Sequence, residues 1–441
     1  MNVLMFTNTY APIVGGVSES VQRLKAQLQL AGHEVLIVAP RLEGQPLGED
    51  DVVRVVAMQH FNGSDFSLPV PIPGQLIEAV EAFDPDVVHS HHPFLLGDTA
   101  ARVADTYGLP LVFTHHTLYE HYTHYVPGDS PLMQRFAKAL ATEYSHMCDE
   151  VIAPSASIRD MLIERGANAS ISVVPSGVDV ARFATGNALA WRERLGIPKG
   201  SYLIGHLGRL AREKNLLFLT ESVGRALRRL PEAHFLVVGS GDAREAMQNM
   251  AEELGIAERV HFTGSLQGPT LVDAYHAMDV FAFASHSETQ GMVIAEAMAT
   301  GLPVVAVDAP GVREMIIDER NGRLLARDDA EAMAQALVEL SDTERHRPMA
   351  AAARRMAEAV DEARCAEGCL AVYRRAIAKG GPYTHADEGG WDRMRARLGA
   401  EWRMLRHRGR LLKHLVQGEW DQERPSWWPG RREGESELPP K

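Results

Sequence analysis

Short apolar runs alternate along this chain with longer stretches whose apolar residues recur at helical spacing. Val3 to Thr7 reads as a buried strand, Ser18 to Ala31 as a helix ended by Gly32, and Glu34 to Ala39 as the next strand, which together make a β-α-β unit. Met133, Phe136, Leu140, Tyr144 and Met147 predict a helix lying on that sheet, and Asp149 to Ser155 and Ile171 to Asp179 predict its last strands. The pattern then starts again. Tyr202 to Leu210, His234 to Asp242, Val260 to Leu266, Asp279 to Ser285 and Pro303 to Val307 read as strands, and Met292 to Thr300 as a helix closed by Gly301. The expected fold class is α/β, with two Rossmann-like parallel sheets.

Length agrees with two units, since 441 residues exceed one ordinary core. The net charge of -13 argues against a nucleic-acid binder. Cys148, Cys365 and Cys369 lack zinc-ligand spacing and read as reduced thiols. The N-terminus lacks the basic region and apolar core of a secretory signal, and no run approaches the roughly 18 apolar residues of a spanning helix. These features predict a cytoplasmic protein, with a peripheral place on the inner face of the cell membrane left open.

The candidate chemistry gathers at strand ends, where open α/β sheets bind ligands. Gly15 and Gly16 precede the first helix and allow a phosphate to approach its N-terminus. Glu288 lies in the strand-to-helix loop that ends at Gly291, and Glu296 lies on the helix that follows. The backbone N–H groups of Gly291, Met292 and Val293 can hold phosphate oxygens, and the two carboxylates can accept from sugar hydroxyls. A capping Glu and a solvated Glu are the plain alternative. Arg209 and Lys214 supply two cations near a third strand end, or else pair on the surface. The histidines after two strands, His89, His91, His92, His115 and His116, have zinc as a rival reading, but no helical His-x3-His pair with a third ligand supports it. Asp84-Pro-Asp86 precedes a strand and reads as a turn, so no metal is expected. Gly239-x-Gly241 lacks the third glycine of a dinucleotide fingerprint.

Glu288-x7-Glu296 resembles the motif of the retaining glycosyltransferases of family 4, which have the GT-B fold. The resemblance covers roughly residues 1–379. It implies a nucleotide-sugar donor and no cofactor: Gly15 and Gly16 at the donor, Arg209 and Lys214 on its diphosphate, Glu288 on sugar hydroxyls, Glu296 on the ribose and His116 beside the sugar. The stretch Thr114-His-His-Thr-Leu-Tyr-Glu-His-Tyr122 is similar to the bacterial glycolipid branch, diacylglycerol glucosyltransferases in particular, which implies UDP-glucose as donor and places Thr117, Tyr119 and Tyr122 on the acceptor side. GDP-mannose as donor, a soluble sugar or glycan acceptor, a nucleotide-sugar epimerase and a non-catalytic binding protein are the other readings. Two residues depart from the family pattern: Ser176 stands where Asn is usual, and Gln290 where Phe is common.

The expected organisation is an acceptor domain over residues 1–180, a nucleotide-sugar domain over 181–360, a returning helix over 361–380 and a tail over 381–441. Between Trp391 and Gln417 the tail is rich in Arg, with Leu at helical spacing. That composition suits an anionic membrane surface, or docking on the protein's own acidic body. The final Pro-, Gly- and Glu-rich residues predict disorder.

Overall fold

The computed structural model describes residues 1–42, 49–58, 68–69, 73–123, 130–380, 404 and 408. Two parallel sheets dominate it. The first contains β1 (Asn2–Phe6), β2 (Glu34–Pro40), β3 (Val52–Val55), β6 (Val87–Ser90), β7 (Leu111–Thr114), β8 (Glu150–Ala153) and β9 (Ser170–Val173). A small antiparallel pair, β4 (Ala57–Met58) and β5 (Leu68–Pro69), lies outside it. The helices of this unit are α1 (Gly16–Leu30), α2 (Pro73–Phe83), α3 (Leu96–Tyr107), α4 (Pro131–Ser145) and α5 (Ala156–Glu164). The second sheet contains β10 (Leu203–Leu207), β11 (His234–Val238), β12 (Val260–Gly264), β13 (Val280–Phe283), β14 (Val304–Val307) and β15 (Gly322–Leu325). Its helices are α6 (Val180–Phe183), α7 (Ala188–Arg194), α8 (Leu216–Arg229), α9 (Arg244–Glu253), α10 (Gly268–Ala277), α11 (Met292–Thr300), α12 (Ala330–Glu339) and α13 (Thr343–Ala359).

The strands are short and almost wholly apolar because both faces of each sheet are covered by helices. Val3, Met5, Ile37 and Val112 pack on one side of the first sheet, and Leu4, Phe6, Val38 and Phe113 on the other. In the second sheet, Phe281 and Phe283 face one core while Ile204, Phe235 and Val280 face the opposite one. This alternation is the period-two consequence of a pleated strand.

Strand order decides where ligands can bind. The first sheet runs β3-β2-β1-β6-β7-β8-β9 and the second β12-β11-β10-β13-β14-β15. In each, the order reverses between the first strand and its neighbour, β1/β6 in one and β10/β13 in the other, and a crevice opens beyond the carboxyl ends there. The loops at those ends carry Gly15 and Gly16, the histidines after β6, Arg209 and Lys214 after β10, and Glu288 after β13.

The chain crosses between the units twice at one place. Val178 on the outward pass exchanges backbone hydrogen bonds with Val360 (3.0 Å) and Glu362 (3.1 Å) on the return. The returning helix α14 (Glu362–Gly380) packs on α1 and on the first sheet, where the Tyr373 hydroxyl is 2.7 Å from His89 Nδ1 and Lys379 pairs with buried Glu150 at 2.6 Å. Burial pushes the Cys365 and Cys369 thiols of this helix up to about 12, so both stay protonated and unreactive.

Of the tail, 391–417 lies outside the described residues apart from Met404 and Arg408. Met404 is buried in the core cluster that contains α3, and Arg408 lies 3.5 Å from Asp98 on that helix. One turn apart, these two side chains contact the body of the protein. No helix among the described residues is long and apolar enough to cross a membrane.

Candidate active site

Two helix N-termini meet between the sheets. Helix α1 starts after Gly15 and α11 after Gly291, and neither N-cap has a side chain to satisfy the first N–H groups. Gly291 has φ 72°, a left-handed conformation that glycine adopts without steric cost. A Cβ on Gly16 would come 3.9 Å from the sulfur of Met292, so the two helix starts are in near contact. Their partial positive ends point at the same region, which suits a diphosphate.

Lys214 and Glu288 border this place. Lys214 Nζ lies 2.5 Å from Glu288 Oε1, and each side chain is 15% exposed. Burial alone would raise the Glu288 carboxyl, but the Lys214 ammonium and a hydrogen bond from Ser285 outweigh it and hold the group below the ordinary glutamate value. Burial likewise works against the Lys214 charge, and Glu288 overcomes it and raises the group. A cation and a carboxylate are thus held ionised in a water-poor setting. Arg209 is more exposed; it lies 2.6 Å from Glu213 and its guanidinium sits 5.5 Å from the centre of the Tyr122 ring. Tyr122 from the first unit therefore covers a cation of the second.

His116 lies where the units meet. Its Nε2 is 2.9 Å from His91 Nδ1, and its carbonyl accepts from Thr289 Oγ1 at 2.8 Å. Behind it, His89 Nε2 is 2.8 Å from Thr114 Oγ1, and the His89 and His91 rings are 4.1 Å apart. Burial lowers His89 and His92 to about 3 and His115 to about 4, and puts His91 and His116 well below the usual value, so all five are neutral at pH 7. Since the unfolded chain takes up a proton on each below about pH 6.5 and the folded protein does not, acid favours unfolding. Stability is therefore expected to fall as the pH drops from 6.5 towards 4. Urea unfolding at pH 7, 6 and 5 checks this; equal midpoints would show that the cluster is not buried in the neutral form.

Among the described residues no group of three His, Cys, Asp or Glu is arranged to hold a metal. Asp86 accepts from the Asn2 N–H at 2.7 Å and so caps the start of β1. Of the residues expected on the acceptor side, Thr117 is half-buried, and the Tyr119 ring packs edge-on against Phe94 and His115 at 5.4 and 6.0 Å.

Several residues at this place have no local sequence signal. Arg23, two turns into α1, reaches across to Glu296. Ser157 N–H donates to Glu314 Oε1 at 2.7 Å, again from one unit to the other. Glu120 in the stretch after β7 is buried against Arg165 and held near 2, where Arg165 outweighs the upward push of burial. The two departures from the family pattern touch each other: Ser176 N–H donates to Gln290 Oε1 at 2.6 Å. A Phe in place of Gln290 could not accept that bond.

Two family models match this chain. Residues 14–182 match the model of Glycosyltransferase Family 4, and residues 187–358 match that of Glycosyl transferases group 1. An alpha-monoglucosyldiacylglycerol synthase of Streptococcus pneumoniae is 30% identical over 78% of this chain and 80% of its own length. A GDP-mannose-dependent alpha-mannosyltransferase of Mycobacterium tuberculosis is 33% identical over 74% of this chain and 84% of its own. Among solved structures, the sucrose-phosphate synthase of Thermosynechococcus elongatus superposes with a TM-score of 0.70 at 21% identity, over 86% of this chain and 99% of that one.

Proposed function

The chain belongs to glycosyltransferase family 4, a GT-B hexosyltransferase dependent on a nucleotide sugar, and from that premise we propose that it moves glucose from UDP-glucose to a lipid acceptor such as diacylglycerol, with retention. The observation that carries the reading is the meeting of the α1 and α11 N-termini beside the Lys214–Glu288 pair.

In this reading the donor diphosphate lies between the two helix starts, against the N–H groups of Gly16, Gly291, Met292 and Val293, with Arg209 and Lys214 as cations. The bond from the anomeric carbon to the phosphate oxygen breaks, and the charge that develops on that oxygen meets dipoles and cations already in place. The acceptor hydroxyl attacks from the same face and its proton passes to the departing phosphate. Glu288 holds sugar hydroxyls, an acceptor-only role that its ionised state suits. His116 is neutral and has one ring nitrogen engaged with His91, so its other nitrogen meets the sugar. Glu296 holds the ribose. Thr117, Tyr119 and Tyr122 border the acceptor, and the first unit is the acceptor domain.

The lipid acceptor and the glucosyl donor draw support from the monoglucosyldiacylglycerol synthase relative. A mannosyl transfer from GDP-mannose is the second reading, supported by the mannosyltransferase at 33% identity. The proposed place of action is the inner face of the cell membrane. Radiolabelled UDP-glucose, UDP-galactose and GDP-mannose, each offered with diacylglycerol vesicles, test both readings. Label from UDP-glucose is expected in the organic extract. Organic label from GDP-mannose would replace the donor, and label confined to water with donor consumed would overturn the lipid acceptor.

A further inference from the structure

Glu296 is oriented from both units at once. Its Oε1 lies 2.6 Å from Arg23 Nη2 of α1, and its Oε2 accepts from the Tyr275 hydroxyl of α10 at 3.1 Å. The Arg23 and Glu296 side chains are each 9% exposed. Arg23 Nη1 also donates to the Gly177 carbonyl at 3.1 Å, on the outward crossing between the units, and Nη2 lies 3.2 Å from Glu19. The guanidinium therefore sits where α1, the crossing and α11 come together.

A buried carboxylate with no partner is costly and tends to turn or take up a proton. Here one acceptor site on each oxygen is filled, which fixes the plane of the group. A carboxylate offers about four such sites, so one remains on each oxygen. Two acceptor sites side by side match the two hydroxyls of a vicinal diol. The planar guanidinium holds its partners in a rigid fork, which a flexible ammonium cannot reproduce.

We propose that Arg23 is a positioning residue for nucleotide recognition: acting through Glu296 from the opposite unit, it sets the preference for ribose over 2′-deoxyribose in the donor. The inference rests on the reading of Glu296 as the ribose carboxylate. Arg23 itself touches no substrate. Its contribution is the orientation and charge of the group that does, and it makes ribose recognition depend on both units being in contact.

The test is the ratio of dissociation constants for 2′-deoxy-UDP and UDP, measured by calorimetry on the full chain, with the GDP pair in parallel. The wild-type protein is expected to favour the ribonucleotide about tenfold or more, the scale of a hydrogen bond to a charged group. Glu296→Gln and Arg23→Gln should each bring the ratio close to one, the double variant should go no lower than Glu296→Gln alone, and Arg23→Lys should fall between. General destabilisation would weaken both nucleotides together and leave the ratio unmoved. A collapsed ratio in Glu296→Gln with the wild-type ratio in Arg23→Gln overturns the role of Arg23 and leaves the ribose reading standing. A wild-type ratio in Glu296→Gln, or no preference in the wild-type protein, overturns the ribose reading itself. Should Arg23→Gln fail to fold, Arg23→Lys decides, because an unchanged ratio there also overturns the proposal.

Discussion

If the proposed roles hold, Lys214→Met, which removes a cation from the developing phosphate charge, and Glu288→Gln, which removes the carboxylate that orients the sugar, are each expected to lower kcat/KM for glycosyl transfer by about 10³-fold. Each single change also leaves its former partner as a buried, uncompensated charge. Unfolding should therefore become easier by about 3 kcal/mol in either variant. The double variant Lys214→Met/Glu288→Gln separates the two effects. With both charges gone the desolvation penalty disappears, so stability should return towards the wild-type value while transfer stays absent. Thermal melts and single-turnover kinetics on the three proteins provide the check. An active double variant would show that the pair takes no part in transfer, and the site would have to be sought elsewhere.

Gly311→Ala is expected to lower activity by about 10²-fold without any change in a group that meets substrate. Gly311 has φ 77°, and a Cβ there would stand 2.5 Å from both the Gln290 nitrogen and the Thr289 carbonyl carbon. Those are backbone atoms of the loop that carries Glu288, so the loop must move, and a shift of about 1 Å at a reacting centre is enough for a loss of that size. The left-handed backbone adds about 1 kcal/mol of strain with a side chain present. Gly301→Ala is the matched control. It also has a positive φ, 88°, but the nearest atoms its Cβ would meet are those of the Arg354 guanidinium at 2.6 Å, the far end of a long side chain that can give way by releasing its bond to the Thr300 carbonyl. That change at the far end of α11 should cost about 1 kcal/mol in stability and leave kcat and KM unaltered. Equal activity losses in the two variants would mean that the loop is not braced from behind by Gly311.

The behaviour of Glu296 shows how far local sequence reasoning reaches. Its place on α11, eight residues after Glu288 with Gly291 between, follows from the apolar periodicity and the glycine. That Arg23 neutralises it does not. The two residues are 273 positions apart, and Arg23 looks like any helix-surface arginine beside Glu19. The histidines are similar. Their position at strand ends is plain from the apolar runs before them, whereas their neutrality depends on burial by distant segments, as where Tyr373 of α14 covers His89. Tyr122 shows the same limit: it belongs to the stretch expected to face the acceptor, and the fold also places its ring against Arg209 of the other unit.

The sequence by itself determined the two parallel-sheet units, the strand and helix that flank Glu288, and the glycines at the two helix starts. These follow from the period of apolar residues, which is a property of neighbours along the chain, and from backbone conformations that glycine adopts most readily. Only the tertiary structure decided which charges meet. The pairing of Lys214 with Glu288 and of Arg23 with Glu296, the contact of Ser176 with Gln290, and the docking of Met404 and Arg408 on α3 all join segments far apart in the chain. Their energies depend on distance and on exclusion of water, and both are fixed only once the two sheets face each other.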